Sequence, residues 1–131
     1  MTPPALSAAA GGPRLLLRAE GAAMAVVGIA LFAHGGLAWW WFVVLLLVPD
    51  LSFLGYLAGP KAGAAAYNAL HTTLGPLALL AAAWMILSPL WLAIGGIWLA
   101  HVGIDRLLGY GLKYASGFDA THLGRIGRQR A

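Results

Sequence analysis

Two histidines and three carboxylates lie inside the hydrophobic runs of this 131-residue chain, at Glu20, Asp50, His71, His101 and Asp105. Imidazole and carboxylate groups bind Zn²⁺, Fe²⁺ and Mn²⁺, and they also act as general acids and bases. The chain has no cysteine, so a thiolate site is excluded. Because an ionisable group that faces lipid is costly, we expect these five side chains to face the protein interior and to form a functional site.

The composition requires lipid as the solvent around these groups. Hydrophobic residues make up 61% of the chain and charged residues 9%, with a mean hydropathy of +0.82. Such a chain cannot cover a soluble domain with a polar surface. The net charge is +4, but the basic residues are spread thinly between hydrophobic runs, which argues against a nucleic-acid partner. The lipid bilayer is therefore the expected partner.

Four apolar stretches are long enough to cross a bilayer, which takes about 20 residues per helix. We expect helices from about 15 to 34, 38 to 58, 62 to 87 and 90 to 112, separated by Gly-Gly, Gly-Pro and Ser-Pro turns. The sequence thus predicts an all-α integral membrane protein with an antiparallel bundle of four transmembrane helices. We expect a disordered cytoplasmic lead-in over 1–13, the membrane domain over 14–113 and a basic cytoplasmic tail over 114–131.

Basic residues on one side of this plan predict the topology. All eight lie before or at the start of helix one, between helices two and three, or at and after the end of helix four: Arg14, Arg18, Lys61, Arg106, Lys113, Arg125, Arg128 and Arg130. By the positive-inside rule, we expect a multi-pass protein of the cytoplasmic (inner) membrane with both termini in the cytoplasm. The row Trp39–Trp41 is typical of an aromatic belt at the opposite interface.

The five ionisable groups then share one depth, about 8 to 16 Å from the cytoplasmic ends of their helices at 1.5 Å per residue. His101 and Asp105 are four residues apart and share a helix face. Tyr67 and Asn68, four and three residues before His71, share its helix face. The outer halves of the helices are almost entirely apolar, which favours a pocket open to the cytoplasm.

The first functional hypothesis is a membrane-embedded metal site. Its ligands would be His71, His101, Asp105 and Asp50, and the ion a divalent Zn, Fe or Mn. Such an ion can lower the pKa of a bound water to about 7, which would permit hydrolysis of a lipidic or membrane-partitioning substrate.

Further residues complete this hypothesis. Asp50 is the first choice for ligand or general base, with Glu20 as the other catalytic carboxylate. Tyr67 and Asn68 would contribute to binding beside the ligands. His122, in the tail, would complete the site if the tail folds back over the cytoplasmic mouth; a solvated loop histidine is the simpler interpretation. The spacing matches no dedicated motif such as H-E-x-x-H.

Other interpretations use the same residues. The five groups could form a proton or cation relay in a homo-oligomer, and His71 and His101 could bind a haem between facing helices. They could also be purely structural: Asp105 could pair with Arg106, and Glu20 with Arg18. Asp50 and Ser52 could satisfy backbone groups that Pro49 leaves unpaired.

The sequence also resembles a family of small bacterial integral membrane proteins known as domain of unknown function 4260. The segments that carry the resemblance are LLRAEG (16–21), PDLSFLGYLAGPKAGAAAYNALH (49–71), WLAHVGIDRLLGYGLKY (98–114) and THLGRIG (121–127). The resemblance implies a four-helix membrane protein and brings no activity. It covers the residues already selected by depth and spacing, including Asn68 and His122.

Overall fold

The computed structural model describes residues 9–113 and 120–125, and this part of the chain is helical except for one short hairpin. In chain order the elements are α1 (Gly11–His34), α2 (Trp39–Leu46), a 3₁₀ segment (Val48–Ala58), α3 (Pro60–His71), α4 (Leu74–Met85), α5 (Pro89–Leu108), β1 (Ala120–Thr121) and β2 (Gly124–Arg125). Helix α1 begins inside the predicted lead-in, and residues 1–8, 114–119 and 126–131 of the predicted lead-in and tail lie outside the described residues.

Three helical stretches within the described residues are long and apolar enough to cross a membrane. They are Gly11–His34, Trp39–Ala58 and Pro89–Leu108, with window hydropathies of 1.8, 1.9 and 1.2. Their outward-facing side chains are predominantly large and apolar, as lipid contact requires. The predicted helical, membrane-type character is therefore confirmed.

The third predicted helix, about 62 to 87, is wrong as a continuous span. The chain leaves the helix at Thr72, whose φ of −76° and ψ of 150° are extended, and resumes it at Leu74. Pro76 explains the break, because proline has no N–H for the carbonyl of Thr72 and its ring would clash with that carbonyl in a continuous helix. The two pieces have 12 residues each, too few to cross a bilayer alone.

The second predicted helix is continuous in direction but changes its hydrogen-bond pattern at Pro49. The Asp50 N–H bonds the carbonyl of Leu47 at 3.1 Å, a three-residue step, instead of the carbonyl of Leu46 four residues back. The hydroxyl of Ser52 donates to the carbonyl of Pro49 at 2.7 Å. Ser52 therefore has the backbone-satisfying role that the sequence allowed, and the carbonyl of Leu46 is left for another donor.

Helices α1 and α5 pack against each other through glycines. A Cβ placed on Gly21 would lie 2.7 Å from the carbonyl oxygen of Gly103, and one on Gly28 would lie 2.3 Å from that of Gly96. Only glycine permits such an approach of two backbones. Since Gly21 meets Gly103 and Gly28 meets Gly96, the two helices run in opposite directions.

The described part of the tail folds against the end of the bundle where α1 begins and α5 ends. Leu123 is fully buried there, and the Arg14 side chain donates to its carbonyl at 2.6 Å. The Asn68 amide pairs with the backbone of Lys113, donating to its carbonyl at 2.7 Å and accepting from its N–H at 2.6 Å. These contacts fix the tail to α1 and fix Lys113, the residue just before the tail, to α3.

Candidate metal centre

Four ionisable side chains from three elements converge at one point. His71 is the last residue of α3, His101 and Asp105 lie one turn apart on α5, and Asp50 lies in the 3₁₀ segment just after Pro49. One nitrogen or oxygen atom from each lies within 4.8 Å of the others. These are the four residues that the sequence analysis selected as metal ligands.

The hydrogen bonds of the imidazoles fix which ring nitrogen faces the cluster. The Nδ1–H of His71 donates to the carbonyl of Tyr67 at 2.9 Å, and the Nδ1–H of His101 donates to the carbonyl of Leu46 at 2.5 Å. A carbonyl can only accept, so Nδ1 carries the proton in both rings. In the neutral imidazoles both Nε2 atoms therefore present lone pairs to the cluster.

The break in helical bonding at Pro49 supplies one of these partners. Because the Asp50 N–H bonds Leu47, the carbonyl of Leu46 is available to His101. The break at Thr72 has a similar consequence: Trp98 donates its indole N–H to the carbonyl of Leu70 at 2.7 Å. In a membrane helix every freed carbonyl needs such a donor, and here α5 supplies both.

Five of the six distances among the four candidate ligand atoms are close to the edge of a metal tetrahedron. The two Nε2 atoms are 3.0 Å apart, and each lies 3.2 to 3.4 Å from Oδ1 of Asp50 and Oδ2 of Asp105. A tetrahedral ion with bonds of 2.0 to 2.1 Å has ligand atoms about 3.3 Å apart. Four lone-pair atoms at these distances repel one another unless a cation lies among them. A proton on one Nε2 is the alternative to a metal ion.

Burial within the cluster is uneven. The side chains of His71 and His101 are 3% and 6% exposed, whereas those of Asp105 and Asp50 are 20% and 38% exposed. The histidines therefore form the closed side of the cluster, and Asp50 lies at its accessible edge.

A stack of side chains joins His71 to the tail. The Tyr67 ring lies parallel to the His71 ring, with centroids 3.7 Å apart and an interplanar angle of 6°. The ammonium of Lys113 lies 4.8 Å from the centroid of the Tyr67 ring, a cation–π distance. Tyr67 thus contacts His71 through its ring and its carbonyl. Lys113 was not predicted from the sequence, because it lies far from His71 along the chain and no helical spacing relates the two.

Two residues predicted to bind beside the ligands are placed elsewhere. Asn68 uses both atoms of its amide on the backbone of Lys113, so its role is to hold the tail. His122 is outside the ligand cluster, and its Nδ1 accepts the N–H of Leu112 at 2.8 Å. The tail folds back as the alternative interpretation required, not as the simpler one of a solvated loop histidine, but His122 pairs with Leu112 and does not extend the cluster.

The remaining carboxylate of the sequence prediction, Glu20, is not part of the cluster either. It is exposed on α1 and interacts electrostatically with Arg106, while Arg18 donates to the carbonyl of Leu107 at 2.7 Å. The suggested pair of Glu20 with Arg18 is therefore replaced by an interaction with Arg106. Nothing in the structure brings Glu20 to the histidines.

The tail histidine titrates below its ordinary range. Burial lowers the pKa of His122, and the positive charge of Arg106 lowers it further. Protonation of Nδ1 would also remove the acceptor for the Leu112 N–H.

The described residues thus form helices long and apolar enough to span a membrane, which is consistent with a helical membrane protein, and they carry a His/Asp cluster that could hold a metal ion. The family model described as Domain of unknown function (DUF4260) matches residues 14–126. The chain belongs to that family. Comparison with curated proteins and with solved structures gave no match.

Proposed function

We propose that the cluster binds a divalent metal ion, Zn, Fe or Mn, and that the protein is a membrane-embedded metal-dependent hydrolase. The observation that supports this is the convergence of two Nε2 lone pairs and two carboxylates at tetrahedral distances, with both Nδ1–H groups held by carbonyls. Metal-binding histidines in proteins generally use their other ring nitrogen in this way. Carbonyl partners orient the rings before the ion binds.

The uneven burial suggests different roles for the two aspartates. His71, His101 and Asp105 form a His₂-carboxylate set, which is a usual set of protein ligands in a catalytic site whose remaining position is taken by water. Asp50, the most exposed of the four, gives up that position to water and acts as the general base.

The reaction would be ester hydrolysis at the accessible edge. The metal ion supplies a bound water of lowered pKa. Asp50 takes one proton as the water oxygen bonds to the acyl carbon, the bond from that carbon to the alkoxy oxygen breaks, and the proton passes to the departing alkoxide. No oxidant or further reactant is needed.

Two other functions are less well supported by the same geometry. Two nitrogens on opposite sides of a haem iron would be about 4 Å apart, whereas the two Nε2 atoms are 3.0 Å apart with carboxylates beside them. A transport relay would need polar groups beyond the cluster, but α4 and the first half of α5 carry mostly Leu, Ala, Trp and Ile. A homo-oligomer remains compatible with either function.

We also propose the orientation and the membrane. The basic residues of the turn at Lys61 and of the ends of α1 and α5 favour a cytoplasmic location for both termini, and hence for the accessible edge of the cluster, in a bacterial inner membrane. The hydrolysable group of the substrate would then be reached from the cytoplasmic half of the bilayer.

Elemental analysis of detergent-purified protein tests the proposal. We expect stoichiometric metal in the wild type and in the control His34→Ala, an exposed histidine at the far end of α1. We expect its loss in His71→Ala and in Asp105→Asn. Asp50→Asn should keep the metal and lose ester hydrolysis. Wild-type protein without metal after exposure to Zn²⁺, Fe²⁺ and Mn²⁺, or full retention of the metal in His71→Ala, would refute the metal centre.

A further inference from the structure

A cavity of about 200 Å³ lies beside the candidate metal centre, between the 39–58 stretch and α5. Its walls are apolar side chains from three parts of the chain: Leu45, Val48, Leu70, Ile94, Ile97 and Trp98. The only polar group of these side chains, the indole N–H of Trp98, is already bonded to the carbonyl of Leu70. An occupant would therefore meet hydrocarbon and no free hydrogen-bonding group of these side chains.

Chain connectivity ties this cavity to the metal centre. Leu70 directly precedes the ligand His71, and Pro49, which also lines the cavity, directly precedes Asp50. On α5, Ile94, Trp98 and His101 follow one face at helical spacing. At 1.5 Å per residue the cavity lies roughly 5 to 10 Å along the helix from His101. One elongated molecule can thus occupy the cavity and reach the cluster.

We propose that this cavity holds the acyl chain of the substrate, which is a single-chain lipid ester. The inference rests on the proposed function and adds the substrate class. The cavity lies between two candidate membrane spans, and Val48 at its rim is 45% exposed on a lipid-facing surface, so hydrocarbon reaches it from the bilayer.

The size of the cavity and its position relative to the cluster select the substrate. A volume of about 200 Å³ is smaller than the roughly 300–1,000 Å³ of a pocket for a whole drug-sized ligand, so it fits part of one chain. With the chain in the cavity, the ester group at its end lies at the accessible side, near Asp50. The apolar half of the substrate is thereby positioned by α5 and the polar half by the ligands.

Photo-crosslinking in nanodiscs tests this inference, with a single-chain fatty acyl ester that carries a diazirine near the end of its chain. We expect labelling of the peptides that contain Leu45 and Ile94. The variant Ile94→Phe fills the cavity and should lower that labelling several-fold, while Ile29→Phe, at an exposed position on α1, should leave it unchanged. A two-chain phospholipid with the same diazirine should label the cavity much less than the ester.

Two results would overturn the inference. One is labelling of the cavity that is equal for the ester and the two-chain phospholipid, which would identify the occupant as bulk lipid. The other is full labelling in Ile94→Phe. Metal content measured on the same preparations keeps the two proposals separate: Ile94→Phe should retain the metal, because its side chain is not a ligand. Absence of bound metal in the wild-type protein would refute the metal centre, whatever the labelling shows.

Discussion

Replacing Gly28 by alanine should destabilise the fold by separating α1 from α5. The new Cβ would lie 2.3 Å from the carbonyl oxygen of Gly96 and 2.6 Å from the backbone nitrogen of Ala100. Carbon and oxygen atoms in contact are about 3.3–3.6 Å apart, so the backbones must move apart by about 1 Å. Neither clashing atom belongs to a side chain that could rotate away.

The expected magnitude follows from two opposing effects. Overpacking of a close contact costs about 1–3 kcal/mol, and alanine in place of glycine inside a helix returns about 0.5–1 kcal/mol. The net loss lies between about 0 and 2.5 kcal/mol with a centre of about 1 kcal/mol, which corresponds to a fall in melting temperature of about 4 °C for a small domain.

The assay is thermal unfolding of the detergent-purified protein, followed by the loss of the monodisperse peak in size-exclusion chromatography. Gly12→Ala is the matched control, since a Cβ at Gly12 meets nothing within 4 Å. Metal content should be the same in both variants, because none of the four candidate ligands lies on α1. A Gly28→Ala protein as stable as Gly12→Ala would refute the close packing of α1 and α5.

Two further predictions concern the partners of the histidines. Pro49→Ala restores a backbone N–H and favours regular α-helical bonding, which removes the carbonyl partner of His101. We therefore expect the metal affinity, measured by competition with a chelator, to fall about 10- to 100-fold. The control Pro89→Ala, at the exposed start of α5, should leave the affinity unchanged. The lowered pKa of His122 means that its neutral form stabilises the docked tail above pH about 6.5, and that this stabilisation is lost as the pH falls through the lowered value. The protection of the Leu112 amide, measured as its exchange rate relative to the intrinsic rate at each pH, should therefore fall on acidification in the wild type, and a His122→Asn variant with the same fall would contradict this assignment.

The four ligands could be selected from the sequence because lipid penalises each of them. Asp50, His71, His101 and Asp105 interrupt apolar stretches, and a shared depth follows from helix rise once the turns are placed. Glu20 met the same two criteria and lies outside the cluster. It was the shallowest of the five in the plan predicted from the sequence, and it is exposed on α1, where it interacts electrostatically with Arg106. Depth therefore selects candidates, and only packing distinguishes a ligand from an interfacial charge.

The break between α3 and α4 was also encoded, in Pro76. Proline acts on the carbonyl four residues before it, so the helix ends at Thr72 and not at the proline itself. The hydropathy of residues 62–87 gives no sign of this break, because hydropathy does not depend on backbone hydrogen bonding. By contrast, the docking of Asn68 onto Lys113 depends on residues 45 positions apart, and no local spacing predicts it.

The two proline-dependent breaks and the metal centre have a common physical origin. In lipid, a carbonyl that loses its helical N–H must find another donor, and an imidazole that is to bind a metal through Nε2 must place its Nδ1–H on an acceptor. At Leu46 one hydrogen bond meets both needs, since the carbonyl released at Pro49 accepts from His101. At Thr72 the break ends α3 directly after His71, and Trp98 satisfies the carbonyl of Leu70. A proline within a few residues of an ionisable group in an apolar helix is therefore a more specific indication of such a centre than the ionisable group alone.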